Sequence, residues 1–401
     1  MDPKTGTVKV TVEAVSPPAG VRPAPEPGVD VHLHLDIGLQ EVAMQAFGDN
    51  NGAAVAINPQ NGGVLAFVSQ PGYDPNQFVE GISTKNYKAL QQNADRPLYN
   101  RALRGQYPPG STVKPFMGLA GLERGATTYD SSIYCPGFYQ LPGNVHRYRD
   151  WKKGGHGSMD LESAIVQSCD VYFYRLAHDL GIDQLHDYLS QFGFGDRTGI
   201  DLTGESTGLL PSRDWKRRAR RQPWYPGETL IMGIGQGYYL TTPLQLAAAT
   251  AAIANNGTFL EPRVVDHLRS RETGEINPIP PRAKSIPIAA QQNWEDVRNA
   301  MRAVVEGPRG TAKRIRSEHY RIAGKTGTAQ VFTVAQDAEY EEEGLDKKLR
   351  DHALFIAYAP IEDPQIAVAV VVENGGHGGA VAAPIARPIM DAYLLRADAG
   401  P

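Results

Sequence analysis

The chain is poor in several things, and each scarcity narrows what it can be. No run of about 18 apolar residues occurs anywhere in its 401 residues, so nothing in it reads as a membrane-spanning helix. Charge is nearly balanced, at −4, which leaves no case for nucleic acid as the main partner. The first residues, MDPKTGTVKV, lack the basic and apolar regions of a signal peptide. The sequence is therefore cytosolic or an excised piece of an exported protein. Only two cysteines are present, Cys135 and Cys169, and they do not settle the redox compartment. No internal repeat is visible. What remains is a globular composition, 41% hydrophobic and 21% charged, long enough for one large domain or two ordinary ones.

Residues 7–15, TVKVTVEAV, alternate as a strand does. The segment SPPAGVRPAPEPG then carries five prolines and reads as a stiff linker. A strand cannot be stable alone. Residues 1–28 are accordingly read as the remnant of a larger N-terminal region, and 29–401 as the main domain. GAAVAINPQNGGVLAFVS, residues 52–69, predicts a hairpin of two strands around a Pro-Gln-Asn-Gly turn. From Ser111 to about Asn256 the pattern is mostly helical with glycine-rich breaks. TTPLQLAAATAAIANNG is its clearest helix, with Thr242 to cap it, Pro243 in the first turn and Gly257 past the end. Strands return in YRIAGKTGTAQVF, HALFIAYAP and QIAVAVVVENG, and a last helix is expected over 382–396. An early hairpin, central helices and three late strands predict an α+β fold, one antiparallel sheet with helices packed on it. The basic stretch RDWKRRARRQPW, 213–224, reads first as a solvated surface and second as a face for an anionic surface or partner. DAEYEEEGLDKKLRD, 337–351, reads as a mobile loop.

Three short motifs carry possible chemistry. In YPPGSTVKPF, Ser111 stands three residues before Lys114, so on a helix the two share a face. A serine hydroxyl is a poor nucleophile until a base takes its proton, and a helix N-terminus favours a developing oxyanion. A capping serine and a surface lysine would satisfy the same residues, although Ser111 is the only serine in the chain with a lysine three residues on. In QSCDVYFY, Ser168 and Asp170 also fit an ordinary helix cap. In AGKTGTAQ, Lys325, Thr326, Gly327 and Thr328 sit among strand-forming residues, and Gly327 leaves room for a substrate backbone. A second Lys-Thr-Gly at Lys4–Gly6 has no partners and is assigned no role, which shows how cheap that motif is alone.

The order of the three is not cheap. S-x-x-K opening a helix, then S-x-D, then K-T-G-T on a strand resembles the penicillin-binding protein and serine β-lactamase superfamily. RALRGQYPPGSTVKPF, QLPGNVHRYRDWKKGGHG, GIGQGYYLTTPLQLA and GKTGTAQVF narrow the resemblance, over residues 29–396, to the monofunctional, elongation-type transpeptidases of the penicillin-binding protein 2 group. The resemblance implies an antiparallel sheet flanked by helices plus an all-helical subdomain, with residues 29–401 as the transpeptidase domain. It implies a peptidoglycan D,D-transpeptidase, acylated by β-lactams and needing no catalytic cofactor. Ser111 would attack the penultimate D-alanine of a stem peptide, and Lys114 would be the general base, made neutral by burial and by Lys325. Ser168 would relay protons. Lys325, Thr326 and Thr328 would bind the substrate carboxylate, and the N–H groups of Ser111 and Thr328 would form the oxyanion hole. The substrate would lie beside the 322–330 strand. Many relatives have asparagine where this chain has Asp170, an acceptor suited to a neighbouring cation such as Lys114. The full-length protein would be anchored by a single helix in the inner membrane, act on its periplasmic face, and pair with a glycosyltransferase of the shape, elongation, division and sporulation class. A β-lactamase or D,D-carboxypeptidase of the same superfamily is the nearest alternative, but no clear base for hydrolysis stands in the sequence. A β-lactam sensor domain keeps the same motifs and is the second alternative; a silent scaffold would not need them intact.

Both cysteines fall in one window, Cys135-x14-Asp150-x5-His156-x12-Cys169, with two of the four residues in the glycine-rich RDWKKGGHG. Thiolate, imidazole and carboxylate are all zinc ligands, and four protein ligands describe a closed structural site. In an extended segment Cys169 would point away from Ser168 and Asp170, so a zinc could brace the middle motif from behind. A disulfide, free buried thiols or a simple Asp150–His156 loop pair are the competing readings. The resemblance favours zinc.

Overall fold

Alanine, valine and glycine dominate the strands that organise this protein, and such small or β-branched side chains let helices cover a sheet closely on both faces. The structure is a computed structural model that describes residues 28–79, 81–331 and 346–396. The expected 7–15 strand, nearly all of the proline-rich linker, the Lys4–Gly6 motif and residues 337–345 of the acidic loop lie outside the described residues.

The chain begins with β1 (Val29–Leu33), α1 (Ile37–Ala46), β2 (Gly52–Ile57) and β3 (Val64–Gln70). Three short helices follow, α2 (Asn76–Val79), α3 (Thr84–Gln92) and α4 (Arg101–Arg104), and then a 3-10 turn, Gly110–Val113, that runs into α5 (Lys114–Glu123). Four short strands come next, β4 (Ile133–Cys135), β5 (Phe138–Gln140), β6 (Arg147–Arg149) and β7 (Gly157–Met159). The helical stretch comprises α6 (Leu161–Val166), α7 (Asp170–Leu189), α8 (Arg213–Arg220), α9 (Pro226–Gly233) and α10 (Pro243–Ala254). After β8 (Thr258–Leu260), β9 (Val265–Ser270), β10 (Ile276–Pro278) and β11 (Ala283–Ser285) come α11 (Gln291–Glu306), β12 (Ala323–Ala329), β13 (His352–Ala359), β14 (Ile366–Val372) and α12 (Ala382–Leu394).

The central sheet has the order β12-β13-β14-β2-β3 and every neighbouring pair is antiparallel. The early hairpin and the three late strands thus join as expected, β14 pairing with β2 in the register Val370↔Ala54. Two helical layers cover the sheet, α1 with α12 and α10 with α11. A second, mainly helical part is built from α5, α6, α7 and α9 packed on one another. The site lies where β12, an edge strand of the sheet, meets the turn that leads into α5.

The 111–256 region departs from the mostly helical expectation. It contains β4–β7, with β5 and β6 paired as a local hairpin and β4 paired with β7 around it, all strands of three residues, too short to show an alternation. Another small sheet has the order β1-β9-β10, so Val29 meets Ser270 across more than half of the chain length. The helix α10 follows expectation. Thr242 accepts from the Gln245 N–H at 3.1 Å, and the Gln245 side chain accepts from the Thr242 N–H at 2.9 Å, a reciprocal cap. Every residue of α10 is buried, so no water can replace that cap. Replacing Thr242 by alanine is expected to cost about 1–2 kcal/mol. A melting temperature lowered by a few degrees in calorimetry is the expected result, and an unchanged one would show that the cap is redundant.

Candidate active site

The first motif straddles a change of helix type. Ser111 lies in the 3-10 turn, half-buried, and Lys114 begins α5, its N–H donating to the Ser111 carbonyl. The Lys114 side chain is 0% exposed. Its ammonium donates to Asp170 Oδ1 at 2.7 Å, to the Ser168 carbonyl at 2.8 Å and to Ser168 Oγ at 3.3 Å. A second buried amine reaches the same hydroxyl: Lys325 Nζ, on β12, lies 3.0 Å from Ser168 Oγ and 2.9 Å from the Thr326 carbonyl. The three motifs therefore meet at one oxygen. Ser168 holds it there with φ of 57°, a left-handed conformation uncommon outside glycine.

Burial lowers the Lys325 pKa well below the ordinary lysine range, the Lys114 charge adds to this, and Asp170 opposes it. Burial and a neighbouring cation, expected to act on Lys114, also act on Lys325. Asp170 uses both of its oxygens as acceptors, Oδ1 from Lys114 and Oδ2 from the Trp151 N–H at 3.0 Å. An asparagine would present a donor to one of these donors, which gives the aspartate a physical reason here.

The turn bearing Ser111 is clamped through backbone. Gly110 N–H donates to the Gly235 carbonyl at 2.8 Å, and Gln236 Nε2 donates to the Thr328 carbonyl at 3.0 Å. A side chain at Gly110 would begin 2.5 Å from the Thr328 oxygen, and one at Gly235 would collide with the Gly110 carbonyl. The protein's own packing requires Gly327 to be glycine. A Cβ there would meet Thr112 Cγ2 at 2.7 Å and the Pro109 oxygen at 3.1 Å, so its bare backbone admits the protein's own Ser111 turn. Thr326 Oγ1 pairs with Thr311 Oγ1 at 2.8 Å, and Thr328 is half-buried at the strand edge.

Behind the middle motif, the sequence window of two cysteines, an aspartate and a histidine closes into a cluster. The ligand atoms of Cys135, Asp150, His156 and Cys169 all lie within 4.8 Å of one another, and the two thiols are not bonded together. Asp150 Oδ2 is 3.6 Å from Cys135 Sγ and 3.4 Å from Cys169 Sγ. His156 Nδ1 is 3.7 Å from Cys135 Sγ and 3.4 Å from Asp150 Oδ1. Ligands about 2.0–2.3 Å from a tetrahedral zinc stand about 3.3–3.8 Å apart, so these separations and this donor set fit the ion. Cys169 turns away from Ser168 and Asp170, its thiol towards Asp150 while the Ser168 hydroxyl faces the lysines. Burial works against ionisation of Asp150. Hydrogen bonds from His156 and from the Lys152 and Val171 N–H groups, with the Lys114 charge, nonetheless hold its carboxyl well below the usual range. The same Asp150 Oδ2 accepts from the N–H groups of Asp170 at 2.8 Å and Val171 at 3.1 Å, so a residue from a distant loop caps α7. Ser168 and Asp170 read as a cap in the sequence, yet the capping position is Cys169 and its own side chain does no capping.

Gln236, Gly110, Gly235, Thr311 and Trp151 belong to this site and were not singled out from the sequence. The glycine pairs around Gln236 in GIGQG are the one signal that marks a close backbone approach. Trp151 gave none: its indole donates to the Ser168 carbonyl at 3.0 Å, next to the cluster residue Asp150.

A buried lysine pair around one serine, beside a clamped serine turn and an edge strand, is the arrangement expected of a serine acyl-transfer site of the S-x-x-K type. The chain matches the penicillin binding protein transpeptidase domain over residues 52–391 and belongs to that family. It is 46% identical over 374 residues to the peptidoglycan D,D-transpeptidase MrdA of Acinetobacter baumannii, which covers 93% of this chain and 55% of that protein. It is 42% identical to the same-named protein of Escherichia coli K12, covering 92% of this chain and 58% of that one. The chain thus spans about half the length of the curated relatives it matches. Among solved structures it resembles Pseudomonas aeruginosa PBP2 in complex with WCK 5153, with a TM-score of 0.84, 51% identity, and coverage of 92% of this chain and 79% of that one. Helicobacter pylori PBP2, solved in a complex with MreC, gives a TM-score of 0.80 at 35% identity, over 90% of this chain and 63% of that one.

The lowered Lys325 pKa has a pH signature. Between its folded pKa and the unfolded value of about 10.4, the unfolded chain binds the proton that the folded one has lost, so stability rises with pH through that window. In nitrogen-15 NMR of the lysine amines, one resonance should titrate below the exposed lysines and be missing from Lys325→Gln. All amines titrating together would overturn the assignment.

Proposed function

We propose that this chain is a peptidoglycan D,D-transpeptidase domain that cross-links stem peptides through an acyl-enzyme on Ser111. The observation that carries the reading is the Ser168 hydroxyl held between Lys114 and Lys325 beside the Ser111 turn. In this reading Lys114, in its neutral form, takes the Ser111 proton as Oγ bonds to the carbonyl carbon of the penultimate D-alanine. The carbonyl electrons move onto oxygen, facing the N–H groups of Ser111 and Thr328. The ionised Asp170 stabilises the ammonium formed on Lys114. Collapse breaks the C–N bond, and the proton passes through Ser168 to the departing D-alanine amine. An amine of a second stem, diaminopimelate in the family, then attacks the ester, loses its proton by the reverse route and releases Ser111. Lys325, Thr326 and Thr328 would take the substrate's terminal carboxylate. That anion favours the protonated form of Lys325, so binding would restore the charge that burial disfavours.

The same reading makes β-lactams acylating inhibitors and residues 29–401 the catalytic unit. It places the full-length protein, held by a membrane anchor, on the periplasmic face of the inner membrane beside a glycosyltransferase of the shape, elongation, division and sporulation class. Support for partners comes from relatives: one solved structure is of a PBP2–MreC complex and another of a peptidoglycan synthase complex. Among the described residues no helix is long and apolar enough to cross a membrane.

Cys135, Asp150, His156 and Cys169 would hold a structural zinc, which would supply a rigid anchor and no catalytic step. The bound His156 would present Nδ1 and leave Nε2, buried and without a partner among the described residues, as the ring's outer nitrogen. About one zinc per chain is expected by elemental analysis. Its removal by chelation should make both thiols reactive and lower the melting temperature, and Cys169→Ser should lower the melting temperature and expose the remaining thiol of Cys135. A folded, metal-free chain whose thiols and melting point ignore added zinc would sink the assignment.

Acylation tests the nucleophile directly. Intact-mass spectrometry after mixing with a penicillin should give one long-lived adduct, absent in Ser111→Ala, and Lys114→Ala should slow its formation by about 10²–10⁴-fold. No adduct on the folded chain would overturn the reading. Rapid turnover of the penicillin would turn it towards a hydrolase.

A further inference from the structure

A cavity of about 870 Å³ opens on the helical side of the protein, and none of Ser111, Lys114, Ser168 or Lys325 lines it. Its walls are the β5–β6 hairpin, α7, the start of α9 and the loop after Gln236. Two of these walls lead straight to the candidate active site. The loop that supplies Gly237 and Tyr238 also supplies Gly235, bonded to the Ser111 turn, and Gln236, bonded to Thr328. Helix α7 begins at Asp170 and brings His178 to the cavity about 12 Å further along its axis. An occupant of the cavity would therefore lie one loop away from the reacting serine.

The lining has a definite chemical character. Tyr148, Tyr225 and Tyr238 supply flat faces with polar tips, and His146, His178 and Asn144 add hydrogen-bonding groups. Among the described residues Glu228 is the only acid, lysine or arginine in the lining, and it is not free to recruit a cation. It is paired with the buried Lys216, and its carboxylate also accepts from the Tyr225 N–H at 2.9 Å. Lys216 in turn sits over the Tyr225 ring at 4.3 Å, fixing that ring from below. The hairpin is held close: a side chain on Gly227 would collide with the Tyr148 hydroxyl. The cavity falls within the usual range of ligand pockets, about 300–1,000 Å³. Aromatic faces with polar edges and no uncompensated charge suit a neutral ring that is apolar on its faces and hydroxylated at its rim.

We propose that this cavity is a saccharide subsite that holds N-acetylated sugar of the strand to which the reacting stem peptide is attached. The proposal rests on the transpeptidase reading for the identity of that strand, and on the lining alone for the class of ligand. Tyr225, 52% exposed, is the ring on which the sugar would stack.

The test uses the whole chain and chitotriose, a neutral N-acetylglucosamine trimer, followed by calorimetry or saturation-transfer NMR. Saturable binding is expected, kept by Tyr225→Phe and weakened at least ten-fold by Tyr225→Ala. His178→Ala on the facing wall should also weaken it, which separates loss of lining from any disturbance of Lys216. All three variants should still form the penicillin adduct on Ser111. No binding by a chain that acylates normally, or binding indifferent to Tyr225 and His178, overturns the subsite and leaves the transpeptidase reading standing. Binding with the expected dependence in a chain that never acylates supports the subsite while removing that reading.

Discussion

The carboxylate of Asp150 is the joint on which the site depends. It accepts from the first N–H groups of α7 on one side and faces two thiols and an imidazole on the other. Helix α7 starts with Asp170, so whatever fixes Asp150 also fixes the partner of Lys114. The neighbouring Trp151 repeats the arrangement, its N–H on Asp170 and its indole on the Ser168 carbonyl. A buried charge with so many donors is costly to leave unpaired, and that cost makes the geometry of the middle motif rigid.

Backbone contact does for the Ser111 turn what side chains do for the middle motif. Gly110, Gly235 and Gly327 bring the serine turn, the Gln236 loop and the edge strand closer than any Cβ would allow. The site is thereby assembled from both parts of the protein: Ser111 and Ser168 from the helical part, Lys325 from the sheet. Its precision is a property of their packing. The cavity beyond Gln236 shares that loop, so the chemistry and the space next to it are built on a common wall.

Much of this was readable in the residues. The hairpin, the three late strands and α10 carry strong local patterns, and they fall where alternation, capping and turn chemistry put them. The three motifs were legible as a set because their order is improbable, although each alone fits a cap or a surface lysine. The cysteine–aspartate–histidine window was legible from residue type. The pairing of β1 with β9 was not, because it joins residues far apart in the chain and depends on register that no local pattern records. Strands of three residues, such as β4 to β7, are too short to show a period. Why Lys325 is so strongly desolvated, and why Gly327 must be glycine, follow from distances between segments far apart in sequence.

The position of β12 has a consequence for the protein's life in solution. A sheet edge that is open to an incoming peptide is equally open to the edge of another molecule, and such edges are where β-rich proteins aggregate. Closing the edge would solve that problem and end the proposed chemistry. Here β12 is seven residues long and carries a lysine whose side chain is fully buried. Seven residues are enough to pair with another strand, so the edge that would take the substrate is also the one that copies of the protein must be kept from joining.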